Sequence, residues 1–174
     1  MSHVTSLHRG KFLELKREGR WEYVSRTNSS GAVFILAVTD ADEIVLVEQH
    51  RVPLGGPTIE LPAGMVGDEP DFHGESLLDS ALRELEEETG FRAARGELLL
   101  SGPVAPGLTS EILHLVRAHA LERVHAGGGV DGEDIRVHVV PLCEVHHWLH
   151  QQAAAGKLVE PRIYAALYFA ALPA

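Results

Sequence analysis

Apolar and polar residues alternate from Lys11 to Arg17 and again from Trp21 to Thr27, with a turn-like Glu18-Gly19-Arg20 between them. A period of two places successive side chains on opposite faces of a strand, so this pattern predicts a β-hairpin. Asn28 to Gly31 breaks it. The run from Ala32 to Thr39 is then almost continuously apolar, as expected of a strand buried on both faces. Ile44 to His50 reads as the next strand, after an Asp40-Ala41-Asp42 turn. Arg51 to Pro57, with two prolines and two glycines, reads as a loop leading to a short strand, Thr58 to Leu61. Glu97 to Ser101 and Ile112 to Ala120 are expected strands around a Pro- and Gly-rich loop, Gly102 to Leu108. His125 to Glu133 reads as a flexible loop, and Ile135 to Val140 as a final strand.

Between these strands, Glu75 to Phe91 has a helical period. Leu78, Leu82 and Leu85 recur at four and three residues and form an apolar stripe. Ser76 is placed as N-cap, Asp79 can reach back toward its amide, and Gly90 is placed for the left-handed C-terminal conformation. Pro141 suits the first turn of a second helix, Leu142 to Ala155, which Gly156 ends. A third helix, Pro161 to about Leu172, is amphipathic through Ile163, Leu167 and Ala170. Strands and one central helix in mixed order, with helices closing the chain, indicate an α+β (mixed α/β) fold rather than a regular doubly wound array.

A chain of 174 residues that is 45% hydrophobic suits one compact soluble domain. Its net charge of −10 argues against nucleic acid or an anionic membrane as a partner, since both reward basic faces. No apolar run reaches signal-peptide or membrane-span length, which makes the cytoplasm the expected location. Cys143 is the single cysteine, so no intramolecular disulfide or Cys-rich zinc site is possible; it reads as a small core residue. His146 and His150 stand one turn apart beside His147. A zinc site would need further ligands, and Val145, Trp148 and Leu149 mark that helix as amphipathic packing.

The acidic helix carries the chemistry. Glu84, Glu87 and Glu88 fall at i, i+3 and i+4, so three mutually repelling carboxylates share one face. A solvated acidic face is one reading; a site for a hard cation such as Mg²⁺, which prefers oxygen ligands, is the other. Arg83, with Glu75 eight residues before it, can fix that face rather than leave it mobile.

From Glu75 the spacing is a glutamate, seven residues, then Arg83-Glu84-Leu85-Glu86-Glu87-Glu88-Thr89-Gly90-Phe91. This resembles the Nudix hydrolase motif at eight specified positions. The departure lies upstream: the motif's opening glycine corresponds best to Gly64, and ten residues rather than five separate it from Glu75. The extra length within Met65 to Gly74 is expected to form a longer surface loop.

Pro106 stands fifteen residues beyond Phe91, and WEYVSRT, IVLVEQHRVPLGGPTIELPAG and GEDIRVHVVPL extend the likeness across about Trp21 to Tyr164. Within the family this resembles the ADP-ribose pyrophosphatases. The resemblance implies a Nudix-type α/β/α sandwich over 31–174, with an N-terminal β-hairpin extension over 1–30 that serves dimerisation and substrate contact. It implies Mg²⁺, with Mn²⁺ as a substitute, held by Glu84, Glu87, Glu88 and the Ala63 carbonyl, and Glu133 as general base ahead of Asp131 and Asp134. By position, Trp21 would stack on adenine, Arg26 and Arg51 would contact phosphate or ribose, and Glu60 would lie in the substrate pocket. The implied reaction is hydrolysis of ADP-ribose to AMP and ribose 5-phosphate by a homodimer, in which Trp21 and Arg26 could serve the neighbouring subunit. GDP-mannose, other ADP-sugars, NADH and FAD are competing substrates. A nucleotide-sensing module without catalysis is the alternative from another class.

Overall fold

Strand β4 (Ala32–Ala37) is buried at every residue, as its apolar run requires, and the two cores form on its two faces. In the computed structural model, which describes residues 3–29, 31–67, 74–130 and 132–172, Val33 and Ile35 pack with Ala81 and Leu85 of helix α1 (Leu77–Thr89), and with Phe91 and Val116. Phe34 and Leu36 face the other way. They meet Leu46 of β5 (Glu43–Arg51), Ile59 of β6 (Gly56–Glu60), Leu149 of α2 (Val145–Ala154) and Ile163 of α3 (Arg162–Ala170). Helices therefore cover both sides of the strands, an α+β sandwich.

Two four-stranded sheets carry this arrangement. One has the order β7 (Ala63–Met65), β4, β9 (Ile112–Arg123), β8 (Phe91–Pro103). Only its β4 and β9 run parallel. The other has the order β10 (Ile135–Pro141), β5, β6, β11 (Leu158–Val159). A separate three-stranded sheet precedes them: β1 (Thr5–Arg9), β2 (Leu13–Glu18) and β3 (Trp21–Arg26). The alternating pattern predicts β2 and β3 as a hairpin; β1, which is exposed at every residue, shows no such pattern and joins them at the edge.

Helix α1 starts and stops where its end residues dictate. Ser76 Oγ accepts from the Asp79 amide at 3.2 Å and donates to Asp79 Oδ2 at 2.7 Å, so the Asp79 carboxylate holds the cap's hydroxyl rather than its amide. Gly90 closes the helix at φ 73° with its N–H on the Glu86 carbonyl.

Three expectations need correction. Pro141 does not open a helix: it ends β10, opposite Glu43, on an edge strand where a missing N–H is tolerated, and α2 begins at Val145. Cys143 is exposed in the turn between them rather than buried. Arg51 to Pro57 is not loop throughout: Arg51 ends β5, and Gly56 and Pro57 begin β6 opposite Arg51 and His50. The extra loop before Glu75 lies largely outside the described residues.

Candidate active site

One cavity of about 550 Å³ gathers groups from every layer. Helix α1 supplies Arg83, Glu84, Glu87 and Glu88; β5 and β6 supply Gln49, Arg51, Thr58 and Glu60; β7 supplies Ala63 and Gly64. Arg26, Glu111, Glu133, Glu160 and Arg162 complete the polar lining. Arg26, Arg51, Glu60, Ala63, the three glutamates and Glu133, all singled out from the sequence, thus share one space.

Trp21 is not in it. Its side chain, 56% exposed, borders a second cavity with Tyr23, Pro106, Thr109 and Ser110. Asp131 lies outside the described residues.

The acidic face is held by its own arginine. Arg83 donates to Glu75 through Nε and Nη2, each at 3.3 Å, and to Glu87 at 2.8 Å, and it pairs with Glu84 at 3.1 Å. Burial opposes the charge on Arg83, but the hydrogen bonds to Glu75 and the carboxylates of Glu84, Glu75 and Glu87 hold its pKa above the ordinary arginine value. Glu84 lies directly against Gly64, where any Cβ would overlap its carboxyl group. Gly64 lets the Glu84 carboxyl lie against the backbone, and a side chain there would displace it.

Glu88 is buried, 5% exposed, and accepts from the Ala63 amide at 3.0 Å. Burial pushes its carboxyl up to about 8; the Ala63 hydrogen bond and Arg51 work against this, while Glu84 and Glu133 add to it.

Glu133 is held by a loop that reads as flexible but is tied to the end of α1. Gly128 N–H donates to the Glu88 carbonyl at 2.8 Å and Gly129 N–H to the Glu87 carbonyl at 3.2 Å, satisfying groups a helix end leaves bare. Gly127, Gly128 and Gly129 all have positive φ. A Cβ at Gly127 would overlap Thr89, and one at Gly129 the Glu133 carboxylate. The glycine run therefore lets the loop seat on α1 and brings Glu133 to the cavity.

The remaining wall is an alternation of charges. Arg51 holds Glu60 through two hydrogen bonds, at 2.8 and 2.6 Å, and this bond keeps the arginine pKa raised. Arg162 lies 3.5 Å over the Phe34 ring and touches Glu160; burial pushes its guanidinium down to about 10, Glu60 opposing and Arg51 assisting. Arg26 donates to Glu111 at 2.6 Å. Sequence reasoning missed Arg162, Glu160 and Glu111. The only linear signal was their place beside segments already in view, Pro161 at a helix start and the Pro106 loop.

Among the described residues, no three His, Cys, Asp or Glu side chains are already gathered as a metal cage. The α1 glutamates have protein partners instead. Their donor chemistry nevertheless fits a hard divalent cation: Glu84, Glu87, Glu88 and the Ala63 carbonyl offer only oxygen, and Glu88 is a buried carboxyl whose charge the surrounding carboxylates resist. His146 stacks on Tyr164 and His147 bonds Gln151 on the exposed side of α2, whose Val145 and Leu149 are buried in the core.

A family model described as the NUDIX domain matches residues 29–161. A methanol dehydrogenase activator of Bacillus methanolicus is 41% identical over 112 residues, 64% of this chain and 57% of that protein. An ADP-ribose pyrophosphatase of Bacillus subtilis (strain 168) is 42% identical over 93 residues, 52% of this chain and 46% of that protein. The chain spans about half the length of the curated relatives it matches. The crystal structure of an ADP compounds hydrolase superposes with a TM-score of 0.72 at 23% identity, covering 95% of this chain and 88% of that one, a likeness of fold.

Proposed function

The chain belongs to the Nudix family, and on that premise we propose that it is a Mg²⁺-dependent hydrolase of nucleoside diphosphate sugars that cleaves ADP-ribose to AMP and ribose 5-phosphate. The observation that carries this reading is the content of one cavity: three glutamates of α1 together with the guanidinium groups of Arg26, Arg51 and Arg162. Acidic groups alone would repel a diphosphate, and arginines alone would bind it without a place for a cation. The ADP-ribose pyrophosphatase among the relatives supports the choice of substrate.

Glu84, Glu87, Glu88 and the Ala63 carbonyl would hold the ion. What Mg²⁺ supplies when bound is neutralisation of phosphoryl charge and acidification of water. Arg26 and Arg51 bind the diphosphate, and Glu60 fixes the Arg51 fork by its two hydrogen bonds. Arg83 keeps Glu84 and Glu87 oriented. Glu133 accepts the proton of the attacking water as the new P–O bond forms and the bond to the bridging oxygen breaks. The leaving phosphate oxygen departs as an anion beside the arginines.

The N-terminal sheet serves a homodimer in this proposal, with Trp21 stacking on the base bound in the partner's cavity. Its exposure and its absence from the lining of this subunit's cavity support that role.

The test is product release from a panel of ADP-ribose, GDP-mannose, NADH and FAD, with and without Mg²⁺. Mg²⁺-dependent preference for ADP-ribose is expected. Nucleotide binding with no turnover on any member would instead identify a sensor.

A further inference from the structure

Two polar groups in the wall of this cavity are buried without a hydrogen-bond partner. Thr58 is 5% exposed, and its Oγ1 makes no hydrogen bond. Glu160 is 8% exposed; its Oε1 is ion-paired with Arg162 Nε, and its Oε2 has no partner. Folded proteins retain few such groups, because an unpaired buried acceptor has lost water and gained nothing.

The topology brings the two together. Parallel pairing of β11 with β6 sets Leu158 opposite Thr58 and Val159 opposite Ile59, and Glu160 N–H donates to the Ile59 carbonyl at 3.0 Å. Gln49 lies across from Thr58 on β5, and both line the cavity. The β5–β6 hairpin and a stretch about a hundred residues further on thus form one polar patch in the cavity wall.

The chemistry of the patch selects its ligand. A carboxylate only accepts hydrogen bonds, and a threonine hydroxyl accepts or donates one. The completing group must therefore donate. It is not a phosphate, which Glu160 would repel, and not a cation, which Arg51 and Arg162 would oppose.

We propose that Thr58 and Glu160 form a specificity subsite that receives a neutral hydrogen-bond donor of the nucleotide sugar, an amino or hydroxyl group outside the diphosphate. This rests on the function proposed above. The donor has two sources, the exocyclic amine of the base or a pentose hydroxyl.

The experiment compares ADP-ribose with its hypoxanthine analogue, in which a carbonyl replaces the amine, and with deoxyribose analogues. Wild type, Glu160→Gln and Thr58→Val are each assayed for KM and kcat. Glu160→Gln is expected to raise KM for ADP-ribose roughly 10-fold and Thr58→Val roughly 3- to 10-fold, with kcat within about 2-fold. On the analogue that lacks the recognised donor, the loss vanishes: on the hypoxanthine compound if the amine is bound, on a deoxy compound if a hydroxyl is. Thr58→Val should also leave the ligand-free protein as stable as wild type or more so, since it removes only an unpaired hydroxyl, a combination that a structural role would not produce. Equal losses on every compound, or none on any, with an active wild type, overturn the subsite alone. A wild type that neither binds nor cleaves any of these compounds overturns the functional reading and the subsite with it.

Discussion

At the scale of single residues, Glu88 is where burial and charge conflict most. Its carboxyl, pushed up to about 8 from an ordinary 4.5, binds a proton more tightly in the folded chain than in the unfolded one. That contribution to stability is fully present below about pH 4.5 and is lost as pH rises through about 8. Metal-free protein should therefore weaken toward alkaline pH, and Glu88→Gln should flatten the slope while abolishing turnover. Denaturant midpoints at about pH 5 and about pH 8, with a chelator present, decide it; an unchanged slope in the variant would assign the pH dependence elsewhere. Glu133→Gln is predicted to lower kcat by roughly 10² to 10⁴, the usual contribution of a general base, with little change in nucleotide binding. Wild-type kcat in that variant would remove Glu133 from the mechanism.

The three α1 glutamates were legible in the sequence because helical spacing alone puts them on one face. Arg162 and Glu160 were not. Their place in the cavity depends on the β6·β11 pairing, which joins residues about a hundred positions apart and has no local pattern. Cys143 misled for a related reason: it falls inside the helix expected from Leu142, but a three-residue shift in where α2 begins leaves it in an exposed turn.

At the scale of elements, α1 and the glycine loop act as one unit. The helix's end residues are readable directly: Ser76 caps one end and Gly90 the other, because a hydroxyl and a missing Cβ each answer a backbone need. Loss of the cap in Ser76→Ala should destabilise the fold by about 1 kcal/mol with kcat unchanged. Gly90→Ala goes further, since φ 73° disfavours a side chain and a Cβ would overlap the His125 carbonyl. We expect it to loosen the loop that carries Glu133, so kcat falls more than stability alone explains. Equal effects on stability and kcat in both variants would separate the loop from catalysis. That the loop docks on the helix could not be read locally: three glycines signal freedom, and only the bare carbonyls of Glu87 and Glu88 show what the freedom is for.

At the scale of the whole molecule, the hydrophobic run of β4 announced a buried central strand, and the mixed order of elements announced an α+β fold. Strand pairing across the two sheets was beyond a linear reading, because β4 joins β9 in parallel across a long stretch of intervening chain. Among the described residues no helix is long and apolar enough to cross a membrane. The exposed Phe12, Leu13, Leu15 and Trp21 of the N-terminal segment are what the proposed homodimer would cover. Sedimentation should then report two chains, and Trp21→Ala should raise KM for ADP-ribose by roughly 5- to 150-fold, the equivalent of about 1–3 kcal/mol of base stacking. A monomer whose KM ignores that substitution would leave Trp21 without a ligand.

The central claim is that one cavity joins cation-holding glutamates to diphosphate-binding arginines for hydrolysis. Its most direct test is AMP release from ADP-ribose by wild type and by Glu88→Gln, titrated with Mg²⁺. Wild-type release that rises with Mg²⁺ and is absent in the variant is the result predicted here. Release that is independent of Mg²⁺, or equal in a folded Glu88→Gln protein, would contradict it.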